Sequence, residues 1–152
     1  MIVNDVLIST VRTANKNTSI KDIASIMCFN KISGLPIVDD DNTLVGILSE
    51  KDILRAMFPD VTQMLIDGVK PDFESIEGDY RNVLNKTAGE LMTHAVATVT
   101  PEMPLLKAVS MMCSKQIRRI PVTDEYNKLV GIISIGDVHK AIFRENLLNT
   151  TN

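Results

Sequence analysis

Apolar residues recur along the chain with two alternating periods. Ile20, Ile23, Ala24, Met27 and Cys28 follow the three-and-four spacing of one helical face. Two short apolar runs come next, Leu35–Val38 and Leu44–Leu48, on either side of Asp39-Asp40-Asp41-Asn42. Apolar runs flanking such polar residues predict a strand, a turn and a second strand. A further helix is predicted from Ser49. The order then returns: Leu105, Ala108, Val109, Met112 and Cys113 at helical spacing, Ile120–Thr123, the turn Asp124-Glu125-Tyr126-Asn127-Lys128, Leu129–Ile133, and a helix from Ser134. Val11–Thr13 and Val96–Val99 predict a strand ahead of each first helix. The first of these helices opens at Thr18-Ser19, with Asp22 three residues after Ser19, and its counterpart has Pro104 near its first turn. Each unit therefore reads β-α-β-β-α.

The two units are copies. Val45–Ile53 reads VGILSEKDI and Val130–Val138 reads VGIISIGDV, and the shift of 85 positions from Gly46 to Gly131 needs no gap from Val11/Val96 to Phe58/Phe143. The same shift pairs Pro36 with Pro121, Asp39 with Asp124, Asn42 with Asn127, Met27 with Met112 and Cys28 with Cys113. Repeat 1 spans residues 3–58 and repeat 2 spans 88–143, with a polar connector at 59–87 and a tail at 144–152. A unit of this size is marginal alone, so the copies are expected to pack on each other. In the connector, Val61, Met64, Leu65 and Val69 predict a short amphipathic turn. Phe73, Ile76, Tyr80, Val83 and Leu84 predict one further helix.

Composition narrows the function. The 152 residues carry a net charge of −3, with 45% apolar, 23% charged and 4% aromatic residues and no Trp. Without a basic excess, non-specific nucleic-acid binding is not expected. With two Tyr and four Phe, aromatic stacking platforms are hard to build. No apolar run reaches the roughly 18 residues that span a bilayer, and charged residues interrupt the first thirty. The two cysteines are too few for a disulfide framework, and a cytoplasmic location is expected.

One constellation stands out. Ser49-Glu50-Lys51-Asp52 and Ser134-Ile135-Gly136-Asp137 each close a strand and open a helix. On one reading each is a helix cap: the Ser accepts an N–H of the first turn and the acid reaches back. On the other, free N–H groups at the helix start suit a phosphate, and the carboxylate accepts the hydroxyls of a ribose. The acid is Asp where a capping box prefers Glu or Gln, and it recurs at one register in both copies.

The pattern around it resembles a known family. Leu35-Pro36-Ile37-Val38-Asp39 with Val45–Ile53, and Ile120-Pro121-Val122-Thr123-Asp124 with Val130–Val138, are similar to the CBS (cystathionine β-synthase) domain, and two copies form a CBS pair or Bateman module. Leu91-Met92-Thr93 also resembles the opening of a CBS repeat, whereas Leu7-Ile8-Ser9 departs from it. The resemblance covers about four-fifths of the chain, leaving only the connector and the last few residues. It implies an α/β fold in which the tandem repeats pack through their sheets with pseudo-two-fold symmetry. It implies a stand-alone regulatory module, not an enzyme, that binds AMP, ADP, ATP or S-adenosylmethionine in clefts between the repeats. The nucleotide is then a regulatory ligand, with no catalytic cofactor. It also implies a homodimer of pairs and a regulated partner protein, with no membrane partner. The alternative is a ligand-free dimerisation module in which Ser-x-x-Asp is only a helix cap.

Carried onto this chain, the second-repeat site uses Ile132, Ser134 and Asp137, with Arg118 and Arg119 toward the phosphates and Ile32 and Ser33 flanking the base. The first-repeat site uses Ile47, Ser49 and Asp52, with Ile117 and Thr93, His94 and Ala95 across the cleft. The sites differ: Ser33-Gly34 stands where the second has Arg118-Arg119, and Lys51 is the substitute cation. Arg matches phosphate with a two-pronged hydrogen-bond fork, which favours the Asp137 site as the nucleotide site. With so few rings, an adenine is expected between aliphatic side chains such as Ile32 and Ile132.

Other residues read as structural. Cys28 and Cys113 are expected in the core, and the Asp39–Asn42 run as a solvated turn. His94 and His139 lack metal-ligand spacing. No nucleophile with a partner base is visible.

Overall fold

The structure is a computed structural model and describes residues 1–58, 61–68 and 70–150. After a short 3-10 helix at Val3–Asp5, the elements follow in order: α1 Ile20–Asn30, β1 Gly34–Val38, β2 Leu44–Ser49, α2 Glu50–Arg55, α3 Val61–Ile66, α4 Phe73–Gly78, α5 Tyr80–Leu84 and α6 Ala88–Leu91. The second half adds α7 Leu105–Ser114, β3 Arg119–Thr123, β4 Leu129–Ser134 and α8 Ile135–Asn149. Strands β1 and β2 form one two-stranded sheet and β3 and β4 another, the latter antiparallel with Arg119 opposite Ser134 and Val122 opposite Gly131. The fold is mixed α/β, as the periodicity predicts.

The helical faces predicted for the two repeats are the ones buried: Ile20, Ile23 and Met27 on α1, and Leu105, Ala108 and Met112 on α7. Ser19 caps α1 by accepting the Asp22 N–H at 3.2 Å. Both helices stop the same way. Lys31 and Gln116 take left-handed φ values of 54° and 55°, and the N–H groups of Ile32 and Ile117 donate back to Met27 O and Met112 O. Such a reversal satisfies carbonyls that the helix end leaves open. It also fixes where Ile32 and Ile117 leave their helices.

Several expectations are corrected. The leading strands at Val11–Thr13 and Val96–Val99 reduce to single parallel bridges, Ala14 to Ile37 and Val99 to Val122. The helix predicted across Phe73–Leu84 is two, α4 and α5, because Asp79 closes one and begins the other: its N–H bonds to Ile76 O in a tight turn just after Gly78. In the α3 region, Val69 lies outside the described residues. Cys28 and Cys113 are exposed and not core, standing at the edge of their apolar stripes. The tail is helical through Asn149, continuing α8. The Asp39–Asn42 turn is more than solvated. Asn42 has φ 62°, and its amide donates to Leu129 O at 2.9 Å; Asn127 has φ 61° and donates reciprocally to Leu44 O at 3.1 Å. Lys128 Nζ adds bonds to Asp41 O and the Thr43 hydroxyl.

The chain divides into two compact units that cut across the repeats. One contains residues 1–11, 41–44 and 97–152; the other contains 12–40 and 45–96. Each repeat thus gives its leading segment to the unit built around the other repeat's helices. In the first unit, Val3 N–H bonds to Met103 O, Asn4 N–H to Pro101 O, and Leu105 N–H to Met1 O. In the second, Ala88 N–H bonds to Thr18 O, Gly89 N–H to Lys16 O, and Ile20 N–H to Lys86 O. These are the same three bonds shifted by one repeat. The cores follow suit: Val3 is fully buried with Leu105, Met112 and Ile133, while Ala88 and Met92 are buried with Ile20, Met27 and Leu48.

The crossing segment also explains the repeated glycine. Ile8 exchanges two backbone bonds of 3.0 Å with Ile132, and Thr93 exchanges bonds of 2.9 and 3.0 Å with Ile47. Backbone therefore lies directly over Gly131 and Gly46, where a side chain would intrude. A Cβ at Gly131 would lie 2.5 Å from Ile8 O, whereas one at Gly46 would first meet the flexible Met92 sulfur at 2.6 Å and Thr93 O at 3.0 Å. Gly131→Ala is therefore expected to destabilise by about 1–3 kcal/mol, the usual cost of overpacking, and by more than Gly46→Ala. Urea unfolding of the two variants checks this, and a larger loss at Gly46 would contradict it.

Candidate functional site

Both Ser-x-x-Asp motifs cap helices, but they do so differently. Ser49 and Ser134 are the N-cap residues of α2 and α8, in extended backbone, and each hydroxyl accepts the N–H of its motif Asp, at 3.3 and 3.1 Å. In the first motif the acid closes a full capping box. Asp52 Oδ2 accepts the Ser49 N–H at 2.9 Å and the Ser49 hydroxyl at 3.0 Å, and Oδ1 faces Arg55 Nη1 at 3.9 Å. The Arg55 side chain is 77% exposed, so that ion pair is weak. In the second motif Asp137 Oδ2 accepts only the Ser134 hydroxyl among the described residues, at 2.7 Å. Its other oxygen is left open. The two aspartates at one register thus differ in their capping bonds: Asp52 Oδ2 accepts both the N–H and the hydroxyl of Ser49, whereas Asp137 Oδ2 accepts the Ser134 hydroxyl.

Asp137 also faces space. A groove of about 240 Å³ runs beside it, lined by Asp5, Val6 and Ile8 from the leading segment and by Asp137, Lys140, Ala141 and Arg144 from α8. The four α8 residues follow the helical spacing that puts them on one face. All seven residues belong to a single unit. A larger cavity, about 430 Å³, lies in the other unit between the end of α2 and the connector helices, with Met57, Met64, Ile76, Asp72 and Asp79 in its lining. It includes none of the candidate ligand-binding residues.

The remaining candidates distribute between the units. Ile47, Ser49, Lys51 and Asp52 share a unit with Thr93, His94 and Ala95, and the Ile47–Thr93 bridge brings that loop alongside the strand leading to Ser49. Ile32 and Ser33 belong to the same unit, where Ser33 O accepts the Glu50 N–H at 2.9 Å. Ile117, Arg118, Arg119, Ile132, Ser134 and Asp137 share the other unit, and Arg118 O accepts the Ile135 N–H at 2.9 Å. Arg118 and Arg119 are exposed at the start of β3 and do not line the groove beside Asp137. Thr93, His94, Ala95 and Lys51 are exposed, while Ile32, Ile47, Ile117 and Ile132 are half-buried. Among the described residues no three His, Cys, Asp or Glu side chains gather to hold a metal.

Of the seven groove residues only Asp137 is a sequence candidate, and signals for three of the others can be found. Ile8 is the one-repeat equivalent of Thr93, so the shift of 85 that placed Thr93 at the first site places Ile8 at the second. Lys140 and Arg144 lie one and two turns beyond the motif, where a helical projection from Asp137 finds them.

Comparison with known proteins identifies the family. The family model described as CBS domain matches residues 3–59 and again 88–144. The protein MJ1426 of Methanocaldococcus jannaschii is 29% identical, over 93% of this chain and 91% of its own length. The chloroplastic CBS domain-containing protein CBSX2 of Arabidopsis thaliana is 31% identical over 82% of this chain, which spans only 56% of the CBSX2 length. A crystal structure of CBSX2 in complex with AMP matches with a TM-score of 0.74 and 28% identity, covering 95% of this chain and 98% of that one. The CBS domain pair of protein MJ0100, in complex with 5′-methylthioadenosine and S-adenosyl-L-methionine, matches with a TM-score of 0.69 at 28% identity and the same coverage.

The unequal capping has a measurable consequence. Asp52→Ala removes a cap that satisfies a backbone N–H and is expected to cost about 1 kcal/mol of stability. Asp137→Ala removes no bond to a backbone donor and is expected to cost less. Chemical denaturation of both variants tests the difference; equal losses would mean that the two aspartates serve their helices alike.

Proposed function

Since the chain belongs to the CBS domain family and carries the domain twice, we propose that it is a non-catalytic regulatory module that binds an adenosine-containing ligand at its second motif. AMP, ADP, ATP and S-adenosylmethionine are the candidate ligands. The AMP complex of CBSX2 and the 5′-methylthioadenosine and S-adenosylmethionine complexes of MJ0100 support this chemistry. The observation that carries it to Asp137 is the open carboxylate oxygen of that residue, beside a groove, at the rim of a helix N-terminus. A ribose diol needs such an acceptor. Ile132, one strand position from Ile133 and two from Ser134, offers the aliphatic surface for the base, and Arg118 and Arg119 add positive charge to the same unit. The protein then acts as a sensor, passing ligand occupancy to a regulated partner.

The first motif supports a second reading for its own half. With Asp52 Oδ2 closing the capping box and Oδ1 near the exposed Arg55 at 3.9 Å, Ser49 and Asp52 serve the α2 cap, and Lys51 and the Thr93–Ala95 loop take at most a less charged ligand. The assembly proposed is a homodimer, for which exposed apolar side chains such as Phe29, Leu106 and Leu148 provide material. The two free cysteines suit a reducing compartment such as the cytoplasm, and no helix among the described residues is long and apolar enough to cross a membrane.

Thermal denaturation with AMP, ADP, ATP and S-adenosylmethionine tests the function. A ligand at about a hundred times its dissociation constant adds about 2.7 kcal/mol to the native state. That stabilisation is expected for at least one of the four, to be lost in Asp137→Ala and kept in Asp52→Ala. No shift with any of them at millimolar concentration would leave the scaffold reading instead.

A further inference from the structure

The groove beside Asp137 is lined by two cations and by the carboxylates of Asp5 and Asp137. Lys140 and Arg144 line it, both exposed, and neither makes an ion pair within 4.0 Å among the described residues. The carboxylates nearby are already engaged in local structure. Asp5 Oδ2 accepts the Ile2 N–H at 2.8 Å, closing the turn of the 3-10 helix, and Asp137 Oδ2 holds the Ser134 hydroxyl. What the α8 face of the groove offers a ligand is therefore the second Asp137 oxygen at one end and two cations along the same helix, with the Asp5 carboxylate on the facing segment. At 1.5 Å of rise per residue, Lys140 stands about 4.5 Å and Arg144 about 10 Å beyond Asp137 along α8. The opposite wall is Asp5, Val6 and Ile8, with Ile8 held in place by its backbone bonds to Ile132.

We propose that this stripe is the phosphate track of the site: Lys140 takes the first phosphate of an adenosine ligand whose ribose is held by Asp137, and Arg144 takes the next. The inference rests on the reading of Asp137 as the ribose acceptor. It goes further by naming the groups that choose among adenosine ligands. The acceptor matches hydroxyl donors, and the cations match phosphate oxygens through charge-assisted hydrogen bonds. A volume of about 240 Å³ suits the sugar-phosphate end and not a whole nucleotide. An adenosine without phosphate, or a cationic sulfonium, leaves both cations unmatched. The stripe therefore makes the site selective for phosphorylated ligands, with ADP held more tightly than AMP.

Isothermal titration with AMP, ADP and 5′-methylthioadenosine, on the full chain, two double variants and one single variant, tests this. Lys140→Gln with Arg144→Gln is expected to weaken AMP and ADP by about tenfold or more, the effect of losing one or two charge-assisted bonds. 5′-Methylthioadenosine should change less than twofold, which also shows that the variant is folded and its ribose site intact. Arg144→Gln alone should abolish the preference for ADP over AMP. Unchanged AMP and ADP affinity in the double variant would overturn the proposal, as would a loss confined to Arg118→Gln with Arg119→Gln. So would a parent protein that binds 5′-methylthioadenosine as tightly as AMP, a result that leaves the ribose reading intact. A parent protein that binds none of the three overturns both.

Discussion

The structure depends on an exchange of backbone between the two copies of its repeat. The leading segment of each copy bonds to the central strand position of the other, Ile8 to Ile132 and Thr93 to Ile47. Those bonds need an unobstructed approach, which Gly131 and Gly46 supply. The same segments carry Val3 in one direction and Ala88 with Met92 in the other into cores that would otherwise be incomplete. Neither copy holds all of its own core. For small repeats with little apolar surface to bury, this shared construction is what makes the length sufficient.

The exchange also builds the site. Through the single bridge of Ile8 to Ile132, the segment carrying Asp5, Val6 and Ile8 lines the groove with Asp137, Lys140 and Arg144. Fold and site are therefore not separable at Gly131: the glycine that admits the crossing strand is the one that gives the groove its second side. At the corresponding place in the other unit, Asp52 turns inward to its own helix and Arg55 sits near its second oxygen. The duplicated motif caps a helix in both copies, and in the first the aspartate also accepts the Ser N–H.

Much of this was legible in the residues. The repeat, the four strands and the capping serines follow from spacing and turn chemistry, because side-chain pattern and local geometry decide them. The exchange of leading segments was hidden because backbone bonds carry no side-chain signature; its one trace is the glycine inside VGI, at a strand position where a β-branched residue would otherwise be favoured. Cys28 and Cys113 misled because a helical stripe has edges, and a small apolar residue at an edge is as consistent with exposure as with burial. The difference between Asp52 and Asp137 was invisible for another reason. Both follow Ser by three residues, and only the orientation of each carboxylate relative to its Ser N–H separates them. Lys140 and Arg144 lay outside the motif, although the helix that begins at Ser134 places them on its face.

The central claim is that Asp137, which lines a groove and whose carboxylate accepts no backbone N–H among the described residues, is the ligand-holding acid of this chain. A crystal structure of the protein with AMP tests it most directly. The account predicts the ribose hydroxyls within hydrogen-bond distance of the open Asp137 oxygen while Asp52 keeps its bond to the Ser49 N–H. AMP bound through Asp52, with Asp137 contacting only Ser134, would contradict it.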